Sequence, residues 1–266
     1  MLFRSLKKVL NSGKAAIGAS ASIGSPVEVL ADAYDFLLFD TQHSPVEIKE
    51  LMPKIQAMKG KRATPVVRVG ENRQDQVCYA LDIGARGIIA PMVNTKKEAE
   101  ALVQWCRYPF VGKRSSAGPK GEWGEFGNYR EYMDRVNEEL VVIPMIETME
   151  SMGNIEEIVS VPGIDVLLIG PSDLSINLGI PLDYANPKYR EALDKIVSSS
   201  EDAGVIPGMY FIPAGQDPSD FSERGFKFFT LPWTKWATTG INNGLSSVKH
   251  KNKQRVFQIG RASCRE

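Results

Sequence analysis

The sequence predicts a closed (β/α)8 barrel of the TIM type, and three observations carry that prediction. Short apolar runs recur eight times along the 266 residues, at 15–21, 36–40, 64–69, 87–91, 140–146, 166–170, 206–211 and 226–231. Helix-like stretches separate them, among them 45–59, 73–83, 95–107, 154–159 and 189–203. The runs are also apolar almost throughout, as parallel strands covered on both faces are. Eight such units in about 240 residues suit a closed barrel better than an open doubly wound sheet. No G-x-G-x-x-G follows a strand, so a dinucleotide site has no support.

Each element has a local reason. Ser44-Pro45 reads as an N-cap followed by a first-turn proline, and Gly204 after Ala203 as a helix stop. The N-terminal stretch MLFRSLKKVLNSGK is basic and amphipathic, and it reads as a first helix in preference to a transit peptide. The 107–139 region is too long for a simple connection and rich in glycine and aromatics, which suggests a lid or binding loop followed by a polar helix. Trp105, Trp123, Trp233 and Trp236 are expected in the core or at an interface.

Residues 1–250 therefore read as one barrel domain, and 251–266 lose the pattern. The stretch QIGRASCRE at 258–266 is also what a common sequencing-adapter sequence encodes, so this tail, Cys264 included, is expected to be non-native. Source codons unlike the adapter would sink that idea.

Hydrophobic content of 43% and charged content of 24% suit a protein with a sizeable core. A formal net charge of zero argues against broad attraction to nucleic acid or anionic membrane. No apolar run approaches the roughly 20 residues that span a bilayer. Cys78, Cys106 and Cys264 have no CxxC spacing, so neither a structural zinc nor a disulfide framework is indicated, and a reducing, cytoplasmic compartment fits. The expected partner is a small molecule.

Strand C-terminal ends share one face of a barrel, where active sites of this fold lie. Glu147 ends the fifth run and Asp173 follows the sixth, so two carboxylates reach one sheet edge. Oxygen donors favour a hard divalent ion; a helix-capping or solvated acid is the plain alternative. Asp40 ends the second run three residues before His43, the single histidine outside the tail region, and could orient its imidazole for acid–base work. Arg68 ends the third run and could bind a carboxylate or steady an enolate oxygen, or else form a structural ion pair. In GPSDLS (170–175), Gly170 permits close approach, Pro171 fixes the turn, and Ser172 or Asp173 can cap a helix whose first N–H groups could hold a carboxylate. Arg114 could hold an anion, though a structural role is the stronger reading.

These residues lie in stretches that resemble the HpcH/HpaI aldolases, the class II metal-dependent pyruvate aldolases: FLLFDTQHSP (36–45), TPVVRVGEN (64–72), GKRSSAG (112–118), PMIETMESMGNIEEI (144–158) and VPGIDVLLIGPSDLSINLG (161–179). The resemblance runs from about residue 5 to 248, and its most specific part is IET followed by IGPSDLS, with Asp173 26 residues after Glu147. It implies a homo-oligomer, commonly a hexamer, with Mg²⁺, Mn²⁺ or Co²⁺ on Glu147 and Asp173. It implies that this metal chelates pyruvate and polarises its ketone, that Arg68 touches the keto oxygen, and that Gly170, Pro171 and Ser172 hold the pyruvate carboxylate. His43, oriented by Asp40, would transfer protons. The implied reaction is reversible cleavage of a 4-hydroxy-2-oxo acid into pyruvate and an aldehyde. A Schiff-base mechanism is disfavoured because no lysine stands at a matching strand end.

Four positions depart from the family pattern. Gln42 stands where a carboxylate is common, Met145 where a glutamine is, GASAS (18–22) where a tryptophan often ends the first strand, and Tyr108-Pro109-Phe110 where YPP is usual. These leave the substrate more open than the chemistry. A CoA-thioester lyase, an oxaloacetate decarboxylase and a catalytically silent oxo-acid-binding barrel stay as alternatives.

Overall fold

The computed structural model describes residues 5–119 and 123–247. All eight expected strands form: β1 (Ala16–Ala21), β2 (Phe36–Asp40), β3 (Thr64–Arg68), β4 (Gly87–Ala90), β5 (Val141–Ile146), β6 (Val166–Ile169), β7 (Ile206–Met209) and β8 (Phe228–Leu231). They pair in parallel in chain order, and β8 closes on β1. The tail at 251–266 and His250 lie outside the described residues.

Alternation along each strand divides the apolar residues between two cores. Ala16, Phe36, Leu38, Val66, Ile89, Val141, Ile143, Met145, Val166, Leu168 and Phe228 form one cluster inside the barrel. Their strand neighbours, such as Leu37, Val67, Val142 and Leu167, join the larger cluster beneath the helices. Inside, Phe36 and Phe228 stack with ring centroids 4.2 Å apart. The stack explains Gly18, because a Cβ there would lie 2.2 Å from the Phe36 ring. Helix α1 (Leu6–Asn11), capped by the Ser5 side chain, closes the N-terminal end by adding Leu6, Val9 and Leu10 to the interior cluster.

The remaining helices are α2 (Val27–Ala33), α3 (Met52–Ala57), α4 (Gln74–Asp82), α5 (Lys96–Cys106), α6 (Tyr129–Glu139), α7 (Met149–Gly153), α8 (Ile155–Val159), α9 (Pro171–Asn177), α10 (Pro187–Asp202), α11 (Pro218–Glu223) and α12 (Trp233–Ser247). Gly204 does end α10, at φ +68°. Three local expectations are corrected. The helix expected from Ser44-Pro45 starts later, as a 3-10 turn over Ile48–Leu51, because Glu47 and Glu50 cap one another's backbone N–H groups reciprocally. Helix α9 takes Gly170 as its N-cap with Pro171 in the first turn, so Ser172 and Asp173 lie inside the helix.

The third correction concerns the expected lid. The described residues Arg107, Tyr108, Arg114 and Trp123, between α5 and α6, pack at the N-terminal end of the barrel, away from the strand ends that carry the candidate site. Arg86, just before β4, lies 4.0 Å over the Trp123 ring and pairs with Glu139. Arg107 reaches Asp165, just before β6, and Arg114 stacks 4.6 Å over Tyr108 while pairing with Asp82. Arg114 is therefore a structural residue, and Trp123 a core one. Trp236 on α12 is 48% exposed, and no residue of that helix is buried.

Gly18→Ala should overpack the interior, since the fully buried Phe36 ring cannot withdraw. The expected loss is about 1–3 kcal/mol in denaturant unfolding; an unchanged midpoint would show that the stack can shift.

Candidate active site

The same alternation that builds the interior core selects the groups at its open end. Phe36, Leu38 and Asp40 share one side of β2, and Val66 and Arg68 one side of β3. Met145 is followed on that side by Glu147, Leu168 by Gly170, and Gly208 by Tyr210. Register aligns these ends: Asp40 is the Cα partner of Arg68, and the Ile146–Ile169 and Ile169–Met209 pairs bring Glu147, Gly170 and Tyr210 to one level. The inward groups above the apolar stack are thus a polar layer.

Arg68 and Asp40 form the first unit. Arg68 Nε donates to Asp40 Oδ1 at 2.7 Å and Nη2 to Oδ2 at 2.5 Å, a bidentate geometry. Burial would raise the Asp40 pKa, but the Arg68 hydrogen bond and charge and the Gln42 and His43 backbone N–H groups prevail and lower it. For Arg68, burial works against the charge and Asp40 prevails, so its pKa is raised. Nη1 makes no hydrogen bond among the described residues, which leaves one donor edge of the fork available.

The expected Asp40–imidazole contact is not what the structure has. The Asp40 carboxylate is instead engaged by Arg68 and by the Gln42 N–H, which donates to Oδ1 at 2.9 Å. A buried guanidinium on the neighbouring strand outcompetes an imidazole on an exposed loop. His43 is exposed just beyond β2, and its imidazole has no hydrogen bond among the described residues.

Glu147 forms the second unit. It is 1% exposed, and Oε1 accepts the Met92 N–H at 2.8 Å. Met92 presents that N–H from a left-handed backbone, φ 52°, a conformation that costs a non-glycine residue free energy. Oε2 has no hydrogen-bond partner among the described residues and lies against the bare backbone of Gly170, where a Cβ would come within 2.1 Å of it. Burial pushes the Glu147 carboxyl up to about 7; the Met92 N–H and Arg68 oppose this, and the charge of Asp173 adds to it.

Among the described residues no three His, Cys, Asp or Glu side chains cluster at metal-binding spacing, and the candidate donors are the two carboxylates Glu147 and Asp173. This pair fits a hard divalent ion. A carboxylate that is buried as a residue, with one oxygen receiving no hydrogen bond among the described residues and a second carboxylate charge nearby, is a site that a cation stabilises. Around it, Thr148 caps α7 and hydrogen-bonds Asn94, tying the loops after β4 and β5 together.

The residue that sequence reasoning missed is Tyr210. Arg68 Cζ lies 4.2 Å from its ring centroid, and its hydroxyl is 3.5 Å from Asp40 Oδ2. Strand parity could have found it, since 206, 208 and 210 share one face.

Residues 21–235 match the family model described as HpcH/HpaI aldolase/citrate lyase. The 4-hydroxy-2-oxo-heptane-1,7-dioate aldolase of Shigella sonnei (strain Ss046) is 31% identical over 208 residues, 77% of this chain and 79% of its own length. The 2-keto-3-deoxy-L-rhamnonate aldolase of Escherichia coli O9:H4 (strain HS) is 32% identical over 265 residues, 98% of this chain and 96% of its own. Among solved structures, an HpcH/HpaI aldolase/citrate lyase family protein from Burkholderia cenocepacia J2315 superposes with a TM-score of 0.79 at 28% identity, covering 93% of this chain and 100% of that one. The polar layer at the strand ends and these matches lead to one conclusion: the chain belongs to the HpcH/HpaI aldolase/citrate lyase family, whose named relatives here are aldolases, and it is a carbon–carbon lyase.

Proposed function

We propose that the protein cleaves a 4-hydroxy-2-oxo acid reversibly into pyruvate and an aldehyde at the Glu147–Asp173 end of the barrel. The observation that carries this reading is the buried Glu147 carboxylate, held by Met92, close against the bare backbone of Gly170 and within reach of the Asp173 charge. Glu147 and Asp173 would hold a divalent cation such as Mg²⁺, Mn²⁺ or Co²⁺. Bound there, it would supply Lewis-acid polarisation of the substrate ketone.

The chain's own groups supply the rest. The first-turn N–H groups of α9 at Ser172 and Asp173 have no partner within the helix and suit the substrate carboxylate. Pro171 has no N–H and sets the turn, and Gly170 keeps the approach open. Arg68 Nη1 donates to the keto oxygen, where negative charge collects as the C3–C4 bonding pair moves into the enolate. The C4 hydroxyl loses its proton as the aldehyde forms, and C3 then gains one to give pyruvate. His43, exposed at the rim, exchanges these protons with solvent. Arg68 is fixed by Asp40, so Asp40 acts on the reaction through the guanidinium.

Pyruvate methyl protons should exchange in D₂O, followed by mass, when a divalent cation is supplied. Glu147→Ala and Asp173→Ala should each lose about 10²-fold or more. Arg68→Ala should lose turnover with little change in Mn²⁺ affinity. Exchange that survives both carboxylate changes and ignores EDTA would end the metal reading.

The Glu147 carboxyl near 7 sets a pH dependence. Because its folded pKa lies above the ordinary value, protonated Glu147 favours the cation-free fold below the unfolded pKa, and that contribution disappears as pH rises through about 7. Cation binding needs the carboxylate, so Mn²⁺ affinity should climb with pH to about 7 and then level. Calorimetry in buffers of different ionisation enthalpy should show close to one proton released at about pH 6 and little at about pH 8. A flat profile would place the ion elsewhere.

The protein is also proposed to work as a cytoplasmic homo-oligomer, a hexamer by family resemblance. Helix α12, which has no fully buried residue and leaves Trp236, Ile241 and Leu245 exposed, supports an interface there. Light scattering should give a mass several times 29.4 kDa; a monomer at micromolar concentration would refute it.

A further inference from the structure

Tyr210 stands just past β7, and in a barrel of eight strands in chain order β7 lies across the barrel from β3. Its ring nevertheless meets Arg68 of β3, at 4.2 Å from Cζ to centroid, and its hydroxyl approaches Asp40 of β2. It therefore spans the open end. It is half-buried and packs on the interior cluster beneath, so it roofs the apolar core on one side and supports the guanidinium on the other. Gly208 below it leaves room for Leu168 and Phe228, each within about 3.1 Å of where its Cβ would be, so the layer under the tyrosine is tightly filled.

We infer that Tyr210 is a positioning residue for the reaction: its ring braces the flat face of Arg68 while Asp40 holds two N–H edges, which aims the remaining Nη1 edge at the substrate oxygen. A planar guanidinium has two soft motions, sliding within its plane and tilting out of it. The bidentate Asp40 contact resists sliding, and an aromatic face resists tilting. The stacking contact is the principal one, because the hydroxyl–carboxylate distance of 3.5 Å is long for a hydrogen bond.

This inference rests on the proposed role of Arg68 at the keto oxygen, and its test separates the two. Tyr210→Leu removes the ring and Tyr210→Phe keeps it. In the cation-loaded enzyme, Tyr210→Leu should lower the pyruvate exchange kcat about tenfold or more, with KM and Mn²⁺ affinity within about twofold. Tyr210→Phe should recover most of the loss. In an Arg68→Ala background, Tyr210→Leu should cost little more, since the effect runs through Arg68. A readout independent of turnover is solvent exchange of the Arg68 Nε–H by ¹⁵N NMR, which should speed about tenfold in Tyr210→Leu and stay near wild type in Tyr210→Phe. If the wild type exchanges pyruvate while neither readout moves in Tyr210→Leu, or if the losses add fully to Arg68→Ala, the bracing role is wrong. If the NMR change occurs but the wild type never exchanges pyruvate, the bracing stands and the proposed reaction falls. Should Tyr210→Leu fail to fold, equal kcat losses in Tyr210→Phe and Tyr210→Ser would overturn the role of the ring.

Discussion

In a closed parallel barrel every second side chain of each strand must enter one small interior, and this constraint shapes the molecule down to its site. The interior holds Phe36 stacked on Phe228, which is possible because Gly18 contributes no side chain. Above that stack the same strand faces continue as Asp40, Arg68, Glu147, Gly170 and Tyr210. The candidate site is the last layer of the core, with charged groups in place of apolar ones. Its chemistry follows from what lies beneath, since dry packing below and backbone around Glu147 remove the water that would otherwise hold its charge.

Arg68 and Glu147, the two buried charges at the strand C-terminal ends, are handled differently. Arg68 has a matched carboxylate in Asp40, and both pKa values move toward the charged forms. Glu147 has one backbone donor, a second carboxylate nearby and Arg68 as its nearest opposing charge, and its pKa moves toward the neutral form. That asymmetry marks where a cation would be stabilised, because there negative charge exceeds the local donors. At the opposite end the buried arginines Arg86, Arg107 and Arg114 all have carboxylate partners, and two of them lie over aromatic rings. Ion pairing at that end closes the barrel, in keeping with the division of a (β/α)8 barrel into a stability face and a functional face.

Much of this was legible in the chain. All eight strands were readable from continuous apolar runs, and so was the helix stop at Gly204. The Glu147–Asp173 edge followed from their positions after two neighbouring strands. Local signals misled where a nearby competitor was stronger. Ser44-Pro45 lost the helix start to the reciprocal Glu47–Glu50 cap, and the expected Asp40–His43 partnership lost to Arg68. The 107–139 region had the composition of a lid, yet its aromatics found buried arginines at the closed end.

The barrel, the strand ends that carry Asp40, Arg68, Glu147 and Gly170, and the family could all be read along the chain. Periodicity and strand position are properties of neighbours along the chain, and they survive without coordinates. Folding in space set the rest: Asp40 serves Arg68, Met92 takes a left-handed backbone where it donates to Glu147, and Tyr210 crosses the mouth to reach β3. Those contacts join strands separated by tens to well over a hundred residues. They depend on register and on which competing partner lies nearest once water is excluded, and no local pattern encodes that.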